Sequence, residues 1–374
     1  MQFSMIFEAQ LTHPTREREH RVLRDCVEQA VLAEAAGFDR VWAVEHHCLQ
    51  WYAHMSAPET FLAYVAGRTE RIRIGHGVVC LPFRMNHPVK VAERIAMLDI
   101  LSRGRVDFGI GKGGTPQEAG AFQTRVADIP AQLEESARMI PRMWREQKFE
   151  HHSPLIDLPP RPILPKPYQQ PHPPMYLACT HEATLNQAGE WGLGALVLGF
   201  AGPEDIARKN AVYRAATARR TPRSQIPEKP LEHLSALCPA IVLDDGARAR
   251  KIGHRAQRFF TMAINYWYDV TGTAQPPVDE LAGEDDADYL RRRGEELVAY
   301  LHEEKITTVG TEATGLYNPN HAYGNARDAI GYCERLAAAG ADEIMFLIQM
   351  GTVPQDAALE TIANLGKQVI PRFR

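Results

Sequence analysis

The residues of this chain whose types invite chemistry gather in a few short runs. Glu45-His46-His47 follows an apolar stretch, Asp39–Val44. A glycine loop, Gly109 to Thr115, carries Lys112 and Gly113 and follows another such stretch. Thr180-His181-Glu182-Ala183-Thr184 opens a helical segment, and Glu8 with Gln10 follows the first apolar run. Gly75-His76-Gly77-Val78 and Gln349-Met350-Gly351 complete the set. The histidine pair can be read three ways. Adjacent histidines point in different directions, so a metal site would need ligands from elsewhere in the chain. An imidazole with a satisfied hydrogen bond is an ordinary structural element, which suits His47. A histidine at a strand terminus can move protons near neutral pH, which suits His46 as a catalytic group.

The glycine loop matches Gly-x-Gly-x-x-Gly at Gly109, Gly111 and Gly114. A dinucleotide fold needs an acidic residue about 20 positions on, at the end of the next strand. Here that position falls at Glu134-Glu135, inside a helical segment, which argues against such a site. The physical part survives, because glycines let backbone N–H groups approach an anion and Lys112 adds charge. A solvated lysine on a plain turn is the competing reading. Thr180 is read as a helix N-cap whose hydroxyl and neighbouring N–H groups suit a phosphate, with simple capping as the alternative.

Strand-like and helix-like segments alternate around these runs. The strands are Phe3–Phe7, Asp39–Val44, Arg71–Leu81, Arg105–Ile110, Met175–Cys179, Ala195–Leu198, Ala236–Leu243 and Ala341–Ile348. Helical periodicity fills most of the gaps, and the first helix stops at Gly37. Eight strands alternating with helices predict an α/β fold, a (β/α)8 TIM barrel with insertions, over an open doubly wound sheet. One barrel domain then spans 1–374. Pro154–Pro174, with nine prolines, reads as an irregular surface excursion without regular structure. Tyr266–Tyr323 breaks the rhythm and reads as a lid insertion over one barrel mouth. Barrel sites form where strands end, which is where the reactive runs fall.

Composition sets the outer bounds. Of 374 residues, 45% are apolar and 24% charged, and the net charge of −4 is spread along the chain, which points away from nucleic acid or an anionic membrane surface. No apolar run is long enough to span a bilayer, and MQFSMIFEAQ lacks the basic and apolar regions of a signal peptide. Six scattered cysteines without a CxxC pair suggest free thiols and a cytoplasmic protein.

Several segments together are similar to the bacterial luciferase-like monooxygenases. Gly37-Phe38-Asp39-Arg40-Val41-Trp42-Ala43-Val44-Glu45-His46-His47 resembles the region around their second strand. Arg73-Ile74-Gly75, Leu81-Pro82 and His87-Pro88 resemble the third strand and its exit. Leu98-Asp99, Leu101 to Arg105 and Phe108 to Gly111 resemble the helix, turn and fourth strand, and Ala339 to Glu343 the entry to the last. The match covers most of residues 1–115 and the last 50, with weaker support around 174–199.

That resemblance implies a barrel that uses reduced FMN and O2 to oxidise a small organic substrate through a flavin hydroperoxide. His46 matches the histidine that supports this chemistry. Lys112, with Gly113 beside it, matches a basic residue near the flavin phosphate, and Thr180, His181 and Thr184 match a phosphate-binding turn. Gly77 and Val78 fall where some members place a non-proline cis bond under the flavin ring. No nicotinamide site is found, so FMN would arrive reduced from a separate NAD(P)H:flavin reductase. Two departures stand out: Gly111 replaces a cysteine of luciferase, and Ala131 falls near a second phosphate-binding arginine. Trp51, Tyr52 and His54 are expected to line the mouth. The aromatics Tyr266, Trp267, Tyr268, Tyr317 and Tyr323 would cover it and suit an apolar or aromatic substrate, or would be core. A homodimer or other homo-oligomer is expected, with no bound metal. The alternatives are a deazaflavin-dependent hydride-transfer oxidoreductase on the same barrel, a non-catalytic flavin-binding protein, and a metal-dependent barrel hydrolase.

Overall fold

The computed structural model describes residues 1–269, 274–303 and 314–374. In chain order the strands are β1 (Gln2–Phe7), β2 (Arg40–Ala43), β3 (Arg73–Cys80), β4 (Val106–Gly111), β5 (Phe149–His152), β6 (Asp157–Arg161), β7 (Met175–Cys179), β8 (Gly194–Val197), β9 (Leu234–Val242), β10 (Ala322–Gly324) and β11 (Glu343–Leu347). The helices are α1 (Arg16–Ala35), α2 (Pro58–Ala66), α3 (Pro88–Leu101), α4 (Pro116–Ala121), α5 (Ile129–Arg145), α6 (Glu182–Trp191), α7 (Pro203–Ala218), α8 (Gly246–Tyr268), α9 (Asp286–Glu303), α10 (Ala326–Ala338) and α11 (Gln355–Asn364).

Strands β1, β2, β3, β4, β7, β8, β9 and β11 pair in parallel around a closed ring, with β8–β9 and β11–β1 completing the circuit. This is the barrel expected from the alternating pattern. Its strands are buried on both faces, which explains their continuous apolar runs. Gly75 shows how the interior fits together. A Cβ there would stand 2.2 Å from Trp42 Cε3, so the missing side chain is what lets the indole lie across the barrel. Gly37 takes φ +87° just past α1, as a helix-ending glycine should.

Three local differences from the sequence reading have simple causes. Asp157–Arg161, inside the proline-rich stretch, is a strand after all; it pairs antiparallel with β5 in a two-stranded hairpin. An edge position lets Pro159 and Pro160 lack N–H donors without loss. Helix α8 runs through Tyr268, so the break in rhythm begins about one turn later than Tyr266. Strand β10 is a three-residue extension that pairs only with β9, too short to show as a pattern. The insertion read over 266–323 contains α9, and Arg258 ties its start to α8 by bonds to Asp286 (2.5 Å) and to the Val278 and Asp279 carbonyls. Its residues 270–273 and 304–313 lie outside the described residues. No helix among the described residues is long and apolar enough to cross a membrane.

Candidate active site

At the C-terminal ends of β1, β2 and β4 three ionisable side chains converge. His46, two residues past Val44, presents Nδ1 to Glu118 Oε1 at 3.1 Å. Glu118 is held by a capping box at the start of α4. Thr115 Oγ1 donates to its Oε2 at 2.9 Å, the Thr115 amide does so at 3.0 Å, and the Glu118 amide donates back to Thr115 Oγ1. The His47 amide adds a bond to Glu118 Oε1 at 3.0 Å. With these donors the Glu118 carboxyl overcomes its burial: burial raises it, but His46, His47 and Thr115 bring it down to about 2. An ionised carboxylate only accepts, so His46 carries its proton on Nδ1. Burial lowers the His46 imidazole, yet the Glu118 bond and the charges of Glu8, Glu118 and Glu45 leave it above its usual value.

Glu8, directly after β1, is 5% exposed and its Oε2 has no hydrogen-bond partner. Burial pushes its carboxyl up to about 7, with His46 opposing and Glu118 adding to the rise. Glu45 serves the scaffold instead. It accepts from the Cys80 amide at 2.8 Å and Asn86 Nδ2 at 2.7 Å, and meets His47 Nε2 at 3.1 Å. His47 also packs edge-on against Phe122, so it is the satisfied structural histidine of the pair.

The Gly77–Val78 peptide is cis, in the β3 segment where register with β4 is irregular. Val78 lies against two bare backbone positions of β4. A Cβ on Gly111 would stand 2.4 Å from Val78 Cγ2, and one on Gly109 would stand 3.2 Å from Val78 Cγ1. Gly111, where luciferase has cysteine, is thus a position with no room for a side chain. Lys112 is exposed and lines a cleft of about 270 Å³ with Met85, Gly113, Thr115 and Glu118. Across the neighbouring strand β7, α6 begins with His181 as N-cap, not Thr180. Thr184 Oγ1 accepts from the His181 amide at 3.2 Å and donates to its carbonyl at 2.8 Å. Glu182 is drawn off by an ion pair with Arg208 of α7, so it need not oppose an anion at this turn.

The expected mouth residues divide. Tyr52 is buried, with its ring 5.0 Å from His46 and 5.7 Å from Phe260. Trp51 stands edge-on to Tyr266 at 5.4 Å, and Trp267 Nε1 donates to the Gln50 carbonyl at 2.6 Å. Tyr268 reaches back over the glycine loop, its hydroxyl 2.2 Å from where a Gly114 Cβ would be. Burial raises its phenol, and Glu118 and Glu8 add to the rise. His54 turns instead to the Ala9 carbonyl (3.2 Å) and Glu19, and lines a groove of about 840 Å³ between α1 and α2 on the outer face. Tyr317 and Tyr323 are buried against α8 through Asn265 and Gln257.

Sequence reasoning missed Glu118, although Thr115-Pro116-Gln117-Glu118 has the form of a capping box. It noted Glu8 at the rim and gave it no role. All six cysteines are free, and no metal-binding group of His, Cys, Asp and Glu occurs among the described residues.

Comparison with known proteins places this geometry. The family model for luciferase-like monooxygenases matches residues 1–315. The oxygenase component of a flavin-dependent trigonelline monooxygenase from Acinetobacter baylyi is 25% identical over 371 residues, covering 96% of this chain and 92% of that one. Other relatives match over about half their length, among them the alkanal monooxygenase alpha chain of Photorhabdus luminescens, 28% identical over 180 residues, 48% of this chain and 49% of that one. In structure, the oxygenating constituent of 3,6-diketocamphane monooxygenase from Pseudomonas putida, in complex with FMN, superposes with a TM-score of 0.73 at 18% identity, over 100% of this chain and 98% of that one. An F420-dependent secondary alcohol dehydrogenase superposes with a TM-score of 0.72 at 19% identity, over 100% and 99%. The chain belongs to the luciferase-like monooxygenase family.

Proposed function

We propose that this chain is the oxygenase component of a two-component monooxygenase, taking reduced FMN from a separate NAD(P)H:flavin reductase and O2 from solution to oxidise a small organic substrate. The observation that carries this reading is the His46–Glu118 pair, set at the barrel mouth of a luciferase-like chain. The residues present suit a flavin. Gly109 and Gly111 of β4 make room for the Val78 side chain, so the Gly77–Val78 segment packs closely on β4, and Glu8 Oε2 is a buried polar atom in want of a partner. Lys112 beside Gly113 supplies a cation for its phosphate, and the turn of Thr180, His181 and Thr184 presents the N-terminal end of α6 to it.

Reduced flavin, when bound, supplies the electrons that activate O2. The chain's own part is binding, orientation, exclusion of water and control of protons. Glu118 fixes the His46 ring by one edge and sustains its positive charge, which leaves Nε2 as the nitrogen that can exchange a proton with a ligand. Tyr52 reduces the water at this point, with the Tyr268 hydroxyl over the glycine loop and Trp51 further out toward substrate. The segment carrying α9 acts as a lid over the single barrel. Exposed apolar side chains on α1–α3, Leu23, Tyr64, Met97 and Leu101, support assembly with a second copy. The relative named as an oxygenase component supports the two-protein arrangement.

Anaerobic titration with reduced FMN, followed by admission of O2, tests the reading. Binding at micromolar levels and O2 consumption that depends on the protein are expected; no binding defeats it. A second reading, hydride transfer with a deazaflavin, is favoured by the dehydrogenase neighbour, since a proton store beside a flavin-like ring also serves carbonyl reduction. It predicts turnover without O2 consumption.

A further inference from the structure

A buried carboxyl normally finds hydrogen-bond donors, as Glu45 and Glu118 do in this same rim. Glu8 does not. Its Oε2 is sealed from water and unpartnered, at the end of a strand whose backbone is fixed by the His54 amide on the Glu8 carbonyl at 3.2 Å. The position is therefore held while the functional group is left idle. The titratable groups that interact with it come from three sides: His46 after β2 with Tyr52 beyond it, Glu118 of α4, and Tyr268 of α8. His46 is the one basic group among them, and it is already paired with Glu118.

We infer that Glu8 is a second proton-carrying catalytic residue of the site, whose carboxyl hydrogen-bonds a nitrogen or oxygen of the bound ligand and which takes up a proton when an anionic ligand binds. This rests on the proposed use of reduced FMN. Before binding, the carboxyl titrates close to neutrality, pushed up to about 7 by burial. An incoming anion repels the carboxylate form, so a proton moves from solvent onto Glu8 and its O–H bond forms. The neutral acid can then return that proton to a lone pair on the ligand: the Glu8 O–H bond breaks, a new bond to the heteroatom forms, and the carboxylate is left facing the His46 imidazole. No electrons change hands. The division of labour is that Glu118 stays charged to hold His46, and Glu8 changes charge with the ligand.

The test is the proton count of binding, measured anaerobically by calorimetry of reduced FMN in buffers of different ionisation enthalpy, with the whole chain and with E8Q. Uptake attributable to Glu8 should be about half a proton at pH 7, rise toward one at pH 8 and be small at pH 6. E8Q should bind reduced FMN measurably, though more weakly, and lack that component. Infrared difference spectra of the cofactor-free protein add a readout without ligand. A protonated-carboxyl band should be lost as pH rises through neutrality, and should be absent from E8Q and from E8L. Equal proton uptake by wild type and E8Q would overturn the role of Glu8 while leaving FMN use intact. Failure of the wild type to bind reduced FMN would sink both, and is distinguishable for that reason. A carboxyl band that persists in E8Q would also count against the assignment.

Discussion

The two ends of the barrel use the same residue types to opposite ends. At the bottom, where the strands begin, Arg40 of β2 lies between Asp107 of β4 (2.6 Å) and Glu343 of β11. Arg73 adds a second guanidinium to Asp107, and Trp42 Nε1, Ser235 Oγ and His233 Nε2 all meet Glu343 within 3.0 Å. Burial would raise the Glu343 carboxyl, but Arg40 and His233 drive it far below the ordinary carboxylate range. At the mouth, Glu118 is equally well served, but Glu8 has no partner for Oε2 and His46 is gripped by one edge only. Matched charge at the closed end holds the barrel together. Unmatched charge at the open end is what a ligand can act upon.

That contrast can be broken at either end. Its largest expected effect is at the bottom: R40M leaves two buried carboxylates short of a cation and should lower stability by about 3–5 kcal/mol in denaturant melts. The affinity of the folded fraction for reduced FMN should stay within about threefold. A loss under about 1 kcal/mol would mean the bottom network is not structural. At the mouth H46A should do the reverse. O2-dependent turnover should fall about 100-fold or more, at a smaller cost in stability than R40M because Glu118 keeps its bonds from Thr115 and the His47 amide; unchanged turnover would remove His46 from the chemistry.

Acidity separates the ends further. A carboxyl raised in the fold contributes stability that is complete below its unfolded value and is lost as pH rises through its folded one. For Glu8 the window runs from 4.5 to about 7. E8Q should therefore gain on wild type between pH 5 and 8, approaching about 3 kcal/mol. Glu118 has the opposite sign, its stabilisation being present above 4.5 and lost as pH falls toward about 2. A pH-independent difference between E8Q and wild type would show that Glu8 is already paired. The smaller effects sharpen the picture at the mouth. T115A removes half of the capping box and should cost about 1 kcal/mol, with the His46 imidazole titrating lower by NMR as Glu118 loosens. K112A should leave stability within about 0.5 kcal/mol and weaken reduced FMN binding several-fold, by a margin that shrinks as salt is raised.

Much of this was legible in the chain before its structure. All eight barrel strands show as apolar runs because both their faces are buried. His46 is marked by its place after β2, and the glycines of β4 by their spacing. What was not legible depends on contacts between distant segments. Glu118 lies 72 positions from His46, and the side-by-side pairing of β2, β3 and β4 brings them together. Glu8 reads like any rim glutamate until its isolation is seen. The strand at Asp157–Arg161 was hidden because proline content predicts irregularity, and only an edge position removes the conflict. Thr180 has the right chemistry for an N-cap, yet the cap falls one residue later, at His181.

The measurement that bears most directly on the central claim is a side-by-side anaerobic titration with reduced FMN and a reduced deazaflavin, each followed by admission of O2 under an oxygen electrode. The account predicts tight binding of reduced FMN, with O2 consumed in proportion to flavin oxidised and slowed in H46A. Preferential binding of the deazaflavin, with no O2 consumed, would contradict it.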